Sequence, residues 1–510
     1  MNNIIQYIKN LFRKGEYTLT GQKLNDILEH PKVNLDPAEL ERINTSLAEY
    51  RGEYPKVKYL NSANDLVERD FKHINIQKHV SRLLAGLVFN EQSDINISDK
   101  FKEANEFIDE VFNHNDFKSN LNKYLEPMYA LGGLTVRPYV NMNTGKVEFS
   151  WALADAFYPL TSTTNGISEG VMVSSTTTQE DNKTVYYTLL EFHEWEDDLY
   201  KITNELYKSK SENVVGQRVP LNELYDGVEE TTYLQGLSRP LFNYVTPYGF
   251  NNINPHSPLG LGIADNSRST ISQINSANDE FHWEVKMGQR KVFVSDTMLR
   301  AVPDERNRAP KQVFDPDVNV YKGIRMGIDE ELVKDVTSDI RADQYITTIN
   351  HQLKTLEMEL GFSQGTLTFD GKSMKTATEV VSENNQTYRT RNNHAHEVEI
   401  FIKGLIISVL ELATATVIDG KQLFNGEIPT FNDVEVDFDD GVFQDRPAML
   451  RFYGQAKAMG LVPTVEVIQK LFSIPEEKAK EWMALIDEEQ GMDPEVMQTQ
   501  SSEELFGLEE

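Results

Sequence analysis

The segment Gly371-Lys372-Ser373 has the residue types of a phosphate cradle, in which glycine amides wrap an anion and a lysine neutralises it. Its spacing argues otherwise: five residues separate Gly365 from Gly371 where the nucleotide-binding motif has four, and a helical pattern rather than a strand comes before it. His394 and His396 are two apart and would point to different sides of a helix, which is wrong for shared metal ligation. His193-Glu194 lacks the second histidine of a zinc-protease helix, no Gly-x-Ser-x-Gly elbow occurs, and Leu259-Gly260-Leu261-Gly262 has neither the third glycine nor the preceding strand of a dinucleotide site. With no cysteine, thiol catalysis, disulfides and zinc–thiolate sites are excluded. The chain therefore reads as a non-enzyme without metal or cofactor, an ATPase using Lys372 being the enzymatic alternative.

The elements that hold these residues are more informative. Between residues 264 and 287 Ile271, Ile274, Phe281 and Val285 form one apolar stripe, and the other face carries Asn275, Asn278, Glu280 and Lys286. Between 338 and 360 Ala342, Ile346, Ile349, Leu353, Leu356 and Leu360 recur at steps of four and three, a coiled-coil-like seam. At 1.5 Å per residue either rod would span about 35 Å, making a stalk with residues 289–337 as its head. Gly361 suits a helix end, and a glycine-bearing loop with Gly365, Gly371, Lys372 and Lys375 follows it. Thr376-Ala377-Thr378-Glu379 is a capping box that should open a third long helix. The first half of that helix, Ser382 to Glu397, is almost wholly polar and is expected to face water or cross between bodies, while Val398 to Val417 reads as a buried helix.

The formal net charge is −30 over 510 residues, which disfavours tight wrapping of nucleic acid. The charge is uneven. Residues 474–510 hold twelve acids against two lysines, net −10, and 290–325 hold eight basic residues against five acids, net +3. No run of eighteen apolar residues suggests a membrane span. At the amino end Ile4, Ile5, Ile8, Leu11 and Phe12 share one helical face interrupted by Lys9, with no small-residue cleavage site after them; a short docking helix is expected there rather than a signal peptide or membrane anchor.

Residues 36–132 read as mainly helical, with apolar recurrence over Leu60 to Val88 and Phe101 to Phe117 and a break at Asn115-Asp116. Alternation then predicts a hairpin, Leu134 to Val140 and Val147 to Trp151 around Asn143-Thr144-Gly145, and further antiparallel strands at Gly170 to Ser175, Thr184 to Trp195 and Leu199 to Tyr207. Pro247 to Gly262 reads as a connector. In the head, Val292-Phe293-Val294, Val313-Phe314 and Val318 to Tyr321 look like short strands that would need packing from another copy. Two or three short helices surround Gly460-Leu461-Val462-Pro463-Thr464, before an acidic tail.

This order resembles the portal proteins of tailed double-stranded DNA bacteriophages, the long-tailed type in particular. The resemblance rests on Ser257-Pro258-Leu259-Gly260 leading to Asn278-Asp279-Glu280-Phe281, the glycine-bearing segment ending in Ala377-Thr378-Glu379-Val380, and Gly460-Leu461-Val462-Pro463-Thr464 before the acidic stretch Glu476 to Glu489. It implies an α+β, predominantly helical portal fold: a wing in 1–262 and 376–445, stem helices in 263–288 and 338–360, a clip in 289–337, a tunnel loop in 361–375 and a crown with the acidic tail in 446–510.

The resemblance further implies a ring, typically of twelve copies, at one capsid vertex of the virion, assembled in the host cytoplasm. Double-stranded DNA would pass through it without sequence recognition. Partners would be further copies of the chain, the major capsid protein and scaffold, the large terminase subunit and a head-completion adaptor, with no membrane. Subunit packing in the stem is expected from Ile271, Ile274, Phe281, Ile346, Ile349, Leu353 and Leu356, DNA contact from Gly365, Gly371, Lys372 and Lys375, and motor or adaptor docking from Arg300, Arg306, Arg308, Lys311, Lys322 and Arg325. A generic oligomeric scaffold without a channel is the structural alternative.

Overall fold

The computed structural model describes residues 23–61, 64–90, 93–180, 182–225, 227–288, 292–295, 322–324, 333–335, 339–368, 385–418, 420–438, 446–472 and 476–491. They form two compact units, residues 1–370 with 386–439 and residues 371–385 with 440–510.

The first unit begins with β1 (Lys23–Leu24) and α1 (Pro37–Arg51). The side chain of Asp36 accepts from the Ala38 amide, Pro37 sits at the first helical position, and Gly52 closes α1 at φ 74°. Next come β2 (Val57–Leu60), β3 (Leu66–Arg69), α2 (Ile76–Val88), β4 (Asp94–Ile97), α3 (Lys102–His114) and α4 (Phe117–Leu131). The break expected at Asn115-Asp116 is present, with Asp116 at φ 47°. The apolar recurrence from Leu60 to Val88 is not one helix. Its first part is the β2–β3 hairpin, paired from Val57↔Arg69 to Leu60↔Leu66 around a turn in which Asn64 has φ 61°.

β5 (Leu134–Asn141) and β6 (Lys146–Leu153) make the hairpin that alternation predicts, and β13 (Asn243–Val245) pairs with β5. A seven-stranded antiparallel sheet joins β7 (Phe157–Thr163), β8 (Gly166–Glu180), β9 (Lys183–Glu196), β10 (Leu199–Ser209), β11 (Gly216–Val219) and β12 (Thr231–Gln235) to β1. The segment after β13 is more than a connector. Asn251, only 6% exposed, donates to Glu39 Oε1 and to the Leu259 carbonyl, and a side chain at Gly260 or Gly262 would strike the backbone of Gly132 or Ala130.

α5 (Arg268–Met287) follows, then β14 (Val292–Ser295), β15 (Lys322–Ile324) and β16 (Val333–Asp335), which pair with one another within the chain in the order β15-β14-β16. Val313-Phe314 and Val318 to Tyr321 lie outside the described residues. α6 (Ala342–Glu359), α7 (Asn385–Ala415), β17 (Val417–Ile418), β18 (Lys421–Gln422) and β19 (Val434–Asp437) complete this unit. The capping box at 376–379 also lies outside the described residues.

The main core packs Leu84, Leu121, Leu125 and Tyr129 against Val398, Ile402, Leu405, Ile406, Val409 and Leu410, so the second half of α7 is largely buried, with Ile400 exposed. At roughly 1.5–3 kcal/mol for each large apolar side chain, this burial dominates the stability of the unit. The polar first half of α7 faces water on one side, with Asn385, Gln386, Arg389, Asn393 and His396 exposed, and is buried on the other. Thr387, Arg391 and His394 are all below 5% exposed. Arg391 donates to the carbonyls of Leu87 and Phe438, and His394 Nδ1 accepts from the Tyr248 amide at 3.0 Å. No helix among the described residues is long and apolar enough to cross a membrane.

The second unit contains α8 (Arg446–Ala458), α9 (Thr464–Phe472) and α10 (Glu476–Gly491), with Val467, Ile468 and Ala479 buried and Phe472 edge-on to Trp482 at 5.4 Å. Gly460, at φ 71°, ends α8 in the helix-closing geometry that glycine favours.

Candidate functional site

α5 and α6 run antiparallel. Thr270 Oγ1 donates to Glu359 Oε1 at one end of the pair, and Arg341 grips Glu284 at the other through its backbone amide at 2.9 Å and its guanidinium at 2.7 Å. Hydrogen bonds from the Arg341 side chain lower the Glu284 carboxyl to about 2, so the clasp is ionic at any neutral pH. Phe281 and Tyr345 pack between these ends, ring centres 5.4 Å apart. The helices contain 20 and 18 residues, giving lengths of about 30 and 27 Å, shorter than the seam spacing suggests.

The expected stem residues divide into two groups. Ile271, Ile274, Ile349, Leu353 and Leu356 are all below 9% exposed and belong to the main core of their own chain. They pack within the core of their own chain. Ile346 is 50% exposed, as are Val285 at 43% and Ile340 at 41%, while Phe281 is half-buried. The apolar stripe thus serves the chain's own core near the body and is free of it farther along.

Part of the expected wet face of α5 is also occupied, at Asn275 and Asn278, while Glu280 and Lys286 are exposed. Arg69, at the end of the β2–β3 hairpin, donates to both carboxylate oxygens of Asp279 at 2.6 Å, and the Lys72 amide donates to the same carboxylate at 2.9 Å. Those bonds, the Arg69 guanidinium first, hold the Asp279 carboxyl below its ordinary range. The Ile74 amide donates to Asn275 Oδ1, Asn278 donates to the Lys72 carbonyl, and Tyr59 meets Trp283 edge-on at 5.1 Å. Residues 54–61 and 64–75 therefore form a strap along α5. Asn275, at 1% exposed, is an interior residue of this contact.

The first turn of α5 is anchored by a buried ionic cluster. Arg42 donates to Asp265 at 2.6 Å and to the Gly260 carbonyl at 3.0 Å, Ser46 donates to Asp265 at 2.8 Å, and Arg268 reaches Ser46 at 2.6 Å and Asp265 at 2.9 Å. Each carboxylate oxygen of Asp265 has partners, the condition under which a buried charge is tolerated.

α6 ends in a closed geometry that sets the direction of the following loop. Gly361 has φ 71°, its amide donates to the Met358 carbonyl, and the Phe362 amide donates to the Glu357 carbonyl. The Glu357 side chain, fully buried, accepts from the amides of Gly365 at 3.1 Å, Leu367 at 2.5 Å and Thr368 at 3.0 Å. Ser363 and Thr387 bond reciprocally, amide to hydroxyl, at 2.8 and 3.2 Å. The start of the loop is thereby joined to α6 and to α7. Gly365 sits in this base at φ 87°, whereas Gly371, Lys372 and Lys375 lie outside the described residues.

Arg300, Arg306, Arg308, Lys311 and Arg325 also lie outside them, and Lys322 is described only as a backbone position in β15. His394 is buried rather than at the surface, and burial lowers its imidazole to about 4; His396 is exposed. Among the described residues no group of three or more His, Asp or Glu is placed to hold a metal ion. Sequence reasoning missed Arg69, Glu357, Arg42 and Asp265. Only Asp279 carried a signal, as part of the Asn278-Asp279-Glu280-Phe281 motif.

A family model described as "Phage portal protein, SPP1 Gp6-like" matches residues 29–492. No curated protein sequence gives a match. Among solved structures, a chain from "Neck of empty GTA particle computed with C6 symmetry" aligns with TM-score 0.39 and 10% identity over 78% of this chain and 89% of its own. A chain from "Virion of native gene transfer agent (GTA) particle" aligns with TM-score 0.37 and 9% identity over 84% of this chain and 99% of its own.

Proposed function

The chain belongs to the SPP1 Gp6-like family of phage portal proteins, and we propose that its copies close into a ring at one capsid vertex and form the channel through which double-stranded DNA is packaged, retained and ejected. The family match over residues 29–492 is the observation that carries this reading. A supporting feature is the clasped α5–α6 pair, whose surface away from the core leaves Ile346, Val285 and Ile340 exposed for a neighbouring copy. A head-to-tail contact of that kind closes when its rotation divides the circle.

In this reading the role is structural, and the energy for packaging comes from a separate terminase motor. Twelve copies at −30 each would carry −360, an acidic body that repels DNA phosphates rather than gripping them. Lys372 and Lys375, repeated round the ring, are proposed to touch the passing backbone without reading bases. The basic residues Arg300, Arg306, Arg308, Lys311, Lys322 and Arg325 are proposed to dock the motor during filling and the head-completion adaptor afterwards, with capsid protein and scaffold bound elsewhere on the ring. The proposed location is the virion vertex, after assembly in the host cytoplasm.

Capsids assembled without the chain test this role. They should enclose no genome, and capsids that fill normally in its absence would reject it.

A further inference from the structure

Arg239 holds a charge that the chain does not answer. Its guanidinium rests against two surfaces, the Phe431 ring, whose centre is 5.4 Å from Cζ, and the backbone of α7 at Gly404. A Cβ at Gly404 would come within 2.5 Å of both Nη1 and Nη2, so glycine is what leaves room for the arginine. The segment that carries Arg239 is fixed on both sides: the Ser238 amide donates to Glu411 Oε2 at 3.1 Å, and Ser408 donates to the Pro240 carbonyl at 3.3 Å. Phe431 stands at the start of a turn that Asp433 closes by accepting from the Thr430 amide at 2.9 Å.

Among the described residues no acceptor forms a hydrogen bond or ion pair with this guanidinium, and its Nε is shut off from water without a partner. Burial pushes the guanidinium below its ordinary value, and the charge of Glu411 offsets this only in part. An unpaired half-buried charge is costly, and so is a glycine inside the 31-residue α7. Together they provide a fixed guanidinium fork with an open side, the geometry that takes a carboxylate through two parallel hydrogen bonds. The rim supplies apolar contact: Ile400, one turn before Gly404 on the same face of α7, is 44% exposed, and Phe431 is 39% exposed. An arginine bordered by exposed apolar side chains has the composition of an interface hot spot.

We propose that Arg239 receives one carboxylate from a second copy of the chain, with Ile400 and Phe431 packing around the pair. The proposal rests on the ring reading, in which every copy meets another head to tail. The chain is well supplied for it, with 80 acids against 50 lysines and arginines, and the same net charge of −30 opposes the approach of a nucleic-acid phosphate to this single cation.

The test uses the full chain with a benzophenone amino acid in place of Ile400, prepared as an equal mixture of light and heavy nitrogen isotopes and imaged in negative stain before irradiation. Irradiation should give mixed-isotope adducts that join the position-400 peptide to a peptide bearing Asp or Glu. Arg239→Met and Gly404→Ala should each lower their yield roughly tenfold or more, and Arg239→Lys should lower it too, because an ammonium lacks the fork. The melting temperature of the unassembled Arg239→Met chain should be unchanged or raised, since the substitution removes an unpaired charge. A lowered melting temperature would place Arg239 in the chain's own fold and overturn the proposal, as would adducts of a single isotope only or a yield that Arg239→Met leaves unchanged. Retention of duplex DNA that Arg239→Met abolishes would assign the guanidinium to a phosphate and overturn it as well. Rings without adducts would reject this contact alone, and the absence of both rings and adducts would reject the ring reading with it.

Discussion

Arg69 and Asp279 are 210 positions apart in sequence and meet through two 2.6 Å hydrogen bonds, which fasten the β2–β3 hairpin to α5. The Asp279 carboxylate also accepts from the Lys72 amide, so a single side chain holds the hairpin part of the strap and the segment that follows it.

Asp279→Ala should release this strap. It leaves the Arg69 guanidinium and the Lys72 amide without an acceptor, a cost of about 2–3 kcal/mol. Amide exchange across residues 57–74 should then accelerate by roughly 30-fold or more, with α2 unchanged. Exchange equal to that of the unmodified chain would mean that Trp283 and Asn275 hold the strap without Asp279.

The buried His394 should make the first half of α7 acid-sensitive. Its imidazole stays neutral in the folded chain down to about 4, while the unfolded chain takes up a proton below the ordinary 6.5. Between those values the unfolded state binds the extra proton, so stability falls as pH falls, by about 1.4 kcal/mol per unit, and no penalty exists above 6.5. His394→Asn keeps an acceptor for the Tyr248 amide and removes the titration. The difference in unfolding free energy between the two chains should therefore change with that slope from pH 6.5 to 4 and be flat above it.

Glu357 should govern the base of the loop after α6 rather than α6 itself. Glu357→Ala strips three amides, those of Gly365, Leu367 and Thr368, of a buried acceptor. Loss of even one such bond, at about 1–3 kcal/mol, predicts a roughly fivefold or larger rise in exchange at 365–368. The amides of Leu353 and Leu356 should keep their protection, and equal loosening of both regions would show that Glu357 serves the helix as a whole.

Lys372→Ala together with Lys375→Ala should impair DNA packaging or retention while leaving ring assembly intact. Measured as packaged genome per particle, normal filling would remove the lysines from the account.

The parts of the fold that were legible in the sequence are those whose pattern is local. Leu134, Val136 and Val140 alternate because one face of β5 is buried, and Val398 to Ala413 reads as a buried helix because nearly every side chain is apolar. The β2–β3 hairpin was misread because Leu60, Leu66 and Val67 mimic helical recurrence, while the deciding feature is the turn at Asn61 to Asp65. Arg391 and His394 looked like surface residues because their partners, the Leu87 carbonyl and the Tyr248 amide, are distant in sequence. Glu357 gave no signal at all, since its partners are backbone amides that any residues would supply. The helical seam was visible, but periodicity alone could not divide Leu353 and Leu356, which face the chain's own core, from the exposed Ile346.

The most direct test of the channel reading is the image of the purified full-length chain in negative stain. The account predicts ring-shaped particles with a central hole and a narrow projecting end in side view. Compact particles with the mass of a single chain and no hole would contradict it.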